Sequence, residues 1–112
     1  MWFNYVTYDL MLNPTKRSVY CEDGNFTDGG EPRSRTAVIG DLFIAADCDG
    51  EHSAVTVEAD GGGVVYSAIL NHSDLRRAFL EALNAAHRLL DPRFVVAVEM
   101  ALPREHEQLT LI

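Results

Sequence analysis

The chain has 112 residues, of which 47% are hydrophobic and 23% charged, as is typical of one globular domain over residues 1–112. Its 17 acidic residues outnumber its 9 basic residues, which gives a net charge of −8. Direct nucleic-acid binding and docking on anionic membranes both need a basic face, so neither is expected. No apolar run is long enough to span a membrane, and the hydrophobic content excludes a disordered chain.

The sequence favours the cytoplasm as the compartment. Residues 1–5 contain neither the basic segment nor the apolar core that open a secretory signal. The only cysteines, Cys21 and Cys48, do not form a disulfide framework. We therefore predict two free thiols in a reducing compartment. A bridge between them would require that their strands are neighbours.

The N-terminal segment is predicted to form two paired strands. Residues 2–12 alternate at period two and are rich in aromatic and branched side chains, a pattern typical of a long strand with one buried face. Residues 13–15 contain Pro14 and indicate a turn. Residues 18–21 are expected to form a short strand that pairs back on the first.

The middle of the chain combines long polar segments with one apolar run. Residues 22–35 lack periodicity and form the longest predicted loop, and loops of this length are often functional or mobile. Residues 36–46 are apolar but interrupted at Gly40, which predicts either one bulged strand or two short strands. Residues 47–52 are polar and predict a turn.

The pattern after residue 52 changes from strand to helix. Residues 55–59 and 64–70 alternate around three glycines, which predicts a β-hairpin. Residues 73–90 repeat apolar side chains at helical spacing, which predicts an amphipathic helix with Ser73 as its N-cap. Pro92 ends this helix.

Two strands are predicted after the helix. Residues 94–102 are apolar on both faces except at Glu99, which indicates a central strand, and residues 109–112 could add an edge strand. The predicted fold class is therefore α+β: a mostly antiparallel sheet of about five or six strands with one helix, about residues 73–90, packed on one face. The helical connection is long enough for a crossover between parallel strands.

Nucleophilic catalysis is not indicated. His72, Ser73 and Asp74 have the composition of a catalytic triad, but adjacent residues at a helix start point in different directions. Helix capping explains Ser73 and Asp74 without catalysis. Cys48 lies among acidic residues, whereas a reactive thiol needs a positive environment. We assign no catalytic residue and no cofactor.

The polar turn at residues 47–52 raises the question of a metal. Asp47, Asp49, Glu51 and His52 are potential ligands, but the glycine position does not match a calcium-binding EF-hand loop. We assign no metal ligand. The alternative to a binding protein is a small enzyme or ligand-binding domain with a weak divalent-cation site near Asp47–His52.

The negative charge is concentrated in the middle of the chain. Residues 20–63 contain ten acidic residues and two arginines, whereas the segments on either side are close to neutral. This excess either keeps the protein soluble or presents a negative field to a basic partner. Phe26, within the acidic loop, is either an interface anchor or folds back on the sheet.

The preferred hypothesis is a small acidic protein-binding module, an inhibitor of a basic bacterial protein such as one that binds nucleic acid. The acidic loops would mimic phosphates. In size and charge, though not in any motif, it is similar to phage anti-CRISPR and toxin-immunity proteins. A monomer or weak dimer is expected, and pairing through residues 107–112 is a third possibility. The predicted partner-binding residues are Glu22, Asp23, Phe26, Asp28, Glu31, Asp47, Asp49, Glu51 and Asp60.

Overall fold

The computed structural model describes residues 1–99, apart from the side chains of residues 94–96. These residues form one helix and one seven-stranded antiparallel sheet, which curls into a half-barrel around the helix. The sheet order is β6-β5-β4-β3-β2-β1-β7. In chain order the elements are β1 (Trp2–Asp9), β2 (Pro14–Gly24), β3 (Ser34–Ile39), β4 (Leu42–Cys48), β5 (Ser53–Ala59), β6 (Val64–Leu70), α1 (Leu75–Leu90) and β7 (Phe94–Glu99).

The predicted class, α+β with one helix on an antiparallel sheet, is confirmed. The described sheet has seven strands, however, instead of the expected five or six. The apolar run at residues 36–46 belongs to two strands, because Gly40 adopts a φ of 58° and reverses the chain between β3 and β4. Glu22 and Asp23, predicted in a loop, extend β2 and pair with β3. The loop is therefore shorter than predicted.

The hydrophobic core lies between the concave face of the sheet and α1. On β1, Phe3 and Tyr5 point into it, and the rings of Phe3 and the fully buried Phe79 form a T-shaped contact at a centroid distance of 5.1 Å. The helix presents mostly small side chains to the sheet, so the two can approach closely. Its buried apolar residues are Ala78, Phe79, Ala82, Leu83, Ala85 and Ala86.

The N-cap of the helix lies one residue later than predicted. Asp74, not Ser73, is the N-cap, and its carboxylate accepts a hydrogen bond of 3.2 Å from the backbone N–H of Arg77. The Ser73 hydroxyl instead accepts the N–H of Gly50 at 2.8 Å. The C-cap is Asp91, directly before Pro92, as expected from the proline.

The position of β7 differs from the prediction of a central strand. Among residues 1–99, β7 pairs only with β1 and lies at one end of the sheet. Helix α1 covers this strand, so an apolar sequence does not require a second neighbouring strand here. The connection through α1 joins the two ends of the sheet, so β6 and β7 are not neighbours. The predicted strand at residues 109–112 lies outside the described residues.

The prediction that both thiols are free is confirmed. Cys21 and Cys48 are both free and buried, on β2 and β4, which are separated by β3. The condition for a bridge, that their strands are neighbours, is not met. Within residues 1–99, the structure contains no helix with the length and apolar character needed to cross a membrane.

Candidate functional site at the acidic end of the sheet

The sheet topology brings two acidic loops to the same end of the molecule. In an antiparallel sheet, alternate connections lie at the same edge, so the β2–β3 loop (residues 25–33) and the β4–β5 turn (residues 49–52) are neighbours. The N–H of Cys48 donates to the carbonyl of Arg33 at 2.8 Å. The bond from Gly50 to Ser73 joins the same turn to the start of α1. We call this region, residues 22–33 and 47–52, the acidic end.

The β4–β5 turn is organised by Asp49. One oxygen of its carboxylate accepts the backbone N–H groups of Glu51 and His52, both at 2.8 Å. These bonds lower the pKa of Asp49, because they stabilise the ionised carboxylate. Asp49 therefore carries a fixed negative charge and also defines the shape of the turn.

The same turn does not form a metal site in the structure. Among residues 1–99, no group of three or more His, Cys, Asp or Glu side chains is arranged to hold a metal ion. Asp47 lies on β4, with its side chain exposed, whereas Asp49 bonds to the turn backbone. The alternative hypothesis, a cation site near Asp47–His52, therefore gains no support from this geometry.

The β2–β3 loop is held together by Thr27. Its hydroxyl accepts the N–H groups of Gly29 at 3.2 Å and Glu31 at 3.3 Å, and its own N–H donates to the carbonyl of Glu31 at 2.8 Å. The neighbouring Phe26 does not fold back on the sheet, since its side chain is 60% exposed. This loop therefore presents an aromatic ring to solvent beside the carboxylates of Asp28 and Glu31.

Asp23 is separated from the other acidic side chains. Its carboxylate accepts two hydrogen bonds from Arg35, at 2.7 and 3.1 Å, and the two side chains are only 15% and 11% exposed. The Arg35 guanidinium also lies 5.5 Å from the ring centroids of Phe3 and Phe79. The negative charge of Asp23 is therefore neutralised beneath the acidic end, on the concave face of the sheet.

Asp60 lies at the opposite end of the sheet. It follows β5, in the turn between β5 and β6, whereas the acidic loops lie at the other end of these strands. The structure thus brings together Phe26 and six exposed carboxylates of the nine predicted residues. These carboxylates belong to Glu22, Asp28, Glu31, Asp47, Asp49 and Glu51.

A cleft of about 690 Å³ lies beside the acidic end. It contains side chains of both signs, including Arg33, Arg76 and Glu31, and it is bounded by the start of α1. Arg76 forms an ion pair of 2.5 Å with Glu99. The cleft is therefore not a uniformly negative surface, in contrast to the two loops that border it.

Sequence reasoning missed the contribution of the helix start and of Arg33 to this region. Asp74 and Ser73 border the same cleft, but their proximity to residues 47–52 depends on the sheet order, which alternation alone does not specify. The His72 Nδ1 accepts the backbone N–H of Asp74 at 3.2 Å. The described contacts give all three residues structural functions.

A buried polar pair was also missed, at the other end of α1. His87 is only 5% exposed, and its Nε2 lies 2.7 Å from the hydroxyl of Tyr5. Burial, together with the charge of Arg17, lowers the pKa of His87 to about 4. Burial also raises the pKa of Tyr5 to about 12. Both groups are therefore neutral at pH 7.

Comparison with known proteins does not assign this arrangement to a class. No family model matches the chain, and no curated protein or solved structure shows a significant similarity to it. The functional argument therefore depends on the geometry of the described residues.

Proposed function

We propose that the chain is a cytoplasmic protein-binding module whose acidic end engages a basic surface of a bacterial partner protein. It would act as an inhibitor, of the type found among phage anti-CRISPR and toxin-immunity proteins. A partner that binds nucleic acid fits this proposal best, because carboxylates can then occupy the positions of phosphates. The observation that carries the proposal is the placement of two acidic loops at one end of the sheet.

The charge of the acidic end is available to a partner. Within residues 1–99, none of its six exposed carboxylates takes part in an ion pair. The two loops are separated by about two strand spacings, roughly 10 Å, which is close to the screening length at physiological salt. The carboxylates therefore act as one negative field, which costs stability through repulsion but accelerates association with a basic surface.

Phe26 gives this surface an apolar contact. Aromatic side chains supply much of the binding energy of protein interfaces when they enter a pocket on the partner. The ring is held on a loop whose backbone is fixed by Thr27, so little conformational entropy is lost on binding. We expect Phe26 to provide affinity and the carboxylates to provide rate and orientation.

The experiment begins with affinity capture from a bacterial lysate, with and without nuclease, to identify a basic protein recovered in both cases. Its affinity is then measured by calorimetry for the double variant Asp47→Lys and Glu51→Lys. Asp49 is left unchanged because it shapes the turn. We expect a loss of at least about 100-fold, equivalent to about 3 kcal/mol.

The matched control is the double variant Asp41→Lys and Asp60→Lys, which changes the net charge equally at the opposite end of the sheet. We expect its affinity to stay within a few-fold of the unmodified protein. Equal losses of affinity in both double variants would show that binding depends on net charge and not on the position of the carboxylates. Unchanged affinity in the first variant would refute the proposed surface.

A further inference from the structure

Among the described residues, strand β6 is an edge of the sheet. Within residues 1–99 it pairs with β5 alone. Its seven residues contain no charge and no proline, whereas natural edge strands usually carry such residues to prevent pairing with another chain. The one irregularity in its pairing with β5 lies near its start, opposite Val57 and Glu58. Most of the strand is therefore regular.

The other end of the described sheet is protected differently. On β7, the backbone N–H of Ala97 donates to the side chain of Asn84 at 3.0 Å, so α1 covers part of that edge. On β6, the contact with the helix is made by the Tyr66 hydroxyl, which donates to Glu81 at 2.6 Å. This contact involves no backbone atom of β6 and does not satisfy the hydrogen-bonding groups of its edge.

The side chains at this edge are apolar and exposed. Val64, Val65 and Ile69 are 58%, 47% and 72% exposed. Val65, Ser67 and Ile69 alternate along the strand, on the face opposite to Tyr66. Unpaired backbone groups and exposed apolar side chains together favour the addition of another strand.

We propose that β6 pairs with β6 of a second copy of this chain, in an antiparallel register centred on Ser67. Residues directly opposite each other in a sheet point to the same face. The two-fold axis that relates the two copies, perpendicular to the sheet, must therefore lie level with one residue and not midway between two residues. Among such centres, Ser67 is the one that pairs the exposed Val65 with the exposed Ile69. It places Val65 opposite Ile69 and Tyr66 opposite Ala68, whereas Val64 lies beyond the register shift in β6 and is assigned no partner.

This register makes the strand complementary to itself. The pairs of Val65 with Ile69, one on each side of Ser67, join apolar side chains that are exposed in the single chain. On the other face, the large Tyr66 meets the small Ala68. Such cross-strand pairs each contribute a few tenths of a kcal/mol, up to about 1 kcal/mol, and the contact is isologous, as in most homodimers.

The distribution of charge is compatible with this contact. Strand β6 runs toward the acidic end, so antiparallel pairing places the acidic ends of the two copies at opposite ends of the assembly. The strand is about 23 Å long at about 3.3 Å per residue, well beyond the screening length of about 8 Å. Since one strand edge buries much less than a standard interface, we expect a dissociation constant on the order of 100 µM.

Sedimentation velocity from 10 µM to 1 mM at physiological salt tests the dimer. We expect the unmodified protein to shift from monomer to dimer and Ser67→Lys to remain monomeric, because two lysines would face each other at the centre. Thr15→Lys, an exposed position on β2, adds the same charge away from the edge and should dimerise normally. A monomer at 1 mM, or a Ser67→Lys dimer of unchanged affinity, would overturn the proposal.

Cysteine cross-linking tests the register and does not depend on the lysine variant. Directly opposite residues are close enough for a disulfide, so Ser67→Cys should form a covalent dimer under mild oxidation. Ile69→Cys should not, since the two copies of residue 69 would lie about 13 Å apart along the strands. A mixture of Val65→Cys with Ile69→Cys should cross-link. Equal cross-linking of Ile69→Cys alone would refute the register.

Discussion

Lowering the pH from 7 to 5 should destabilise the fold through His87. Its side chain is 5% exposed, and its pKa is lowered from 6.5 to about 4. Between these values the unfolded chain binds a proton that the folded chain does not, so stability falls as the pH falls through this window. The contribution of His87 is fully present above pH 6.5 and lost near pH 4.

The size of the stability loss follows from the shift in the pKa of His87. One pKa unit corresponds to about 1.4 kcal/mol, so the whole shift is worth about 3 kcal/mol. About 2 kcal/mol of this should be lost between pH 7 and pH 5. A domain of this size has a total stability of roughly 5–15 kcal/mol, so the loss is readily measured by urea unfolding followed by far-UV circular dichroism.

His87→Gln separates this effect from the titration of the carboxylates. Glutamine cannot ionise but can still bond to the Tyr5 hydroxyl, so the loss between pH 7 and pH 5 should shrink by about 2 kcal/mol. Tyr5→Phe should instead lower stability at pH 7 by about 1–3 kcal/mol and retain the pH dependence. If His87→Gln loses as much stability on acidification as the unmodified protein, the buried histidine is not the cause.

Two further predictions concern the core and the buried ion pair. Phe79→Ala should destabilise the fold by about 3–5 kcal/mol, because a fully buried ring that packs on Phe3 is lost; a urea midpoint close to that of the unmodified protein would contradict the packing. Asp23→Asn should cost about 3 kcal/mol by leaving the charge of Arg35 buried without its carboxylate. The double variant Asp23→Asn and Arg35→Met should recover part of that loss, and additive losses would count against a direct pair.

The local elements of the fold could be predicted from the sequence, but the sheet order could not. The hairpin of β5 and β6 and the extent of α1 follow from periods of two and 3.6 residues. By contrast, β7 was predicted in the centre because its sequence is apolar on both faces. A strand at the end of a sheet that is covered by a helix shows the same apolar pattern as a central strand. Periodicity therefore does not reveal the number of neighbouring strands.

The candidate site was predicted only in part, for a related reason. The sequence identifies which residues are acidic and which lie near turns, so six exposed carboxylates and Phe26 could be found. It could not show that Asp23 is neutralised by Arg35, since this pair forms across two strands. Nor could it show that Asp60 lies at the other end, because that depends on which connections share an edge.

The connectivity of the sheet also has a consequence for folding. Within residues 1–99, strands that follow one another in sequence from β1 to β6 pair with each other, whereas β7 pairs with β1 at the other end of the described chain. Local hairpins can form early because their loops are short, and the β1–β7 contact requires a much longer loop to close. Until α1 docks, the concave apolar face stays open to water. We therefore expect helix docking and the β1–β7 contact to form late and together, as the rate-limiting step of folding.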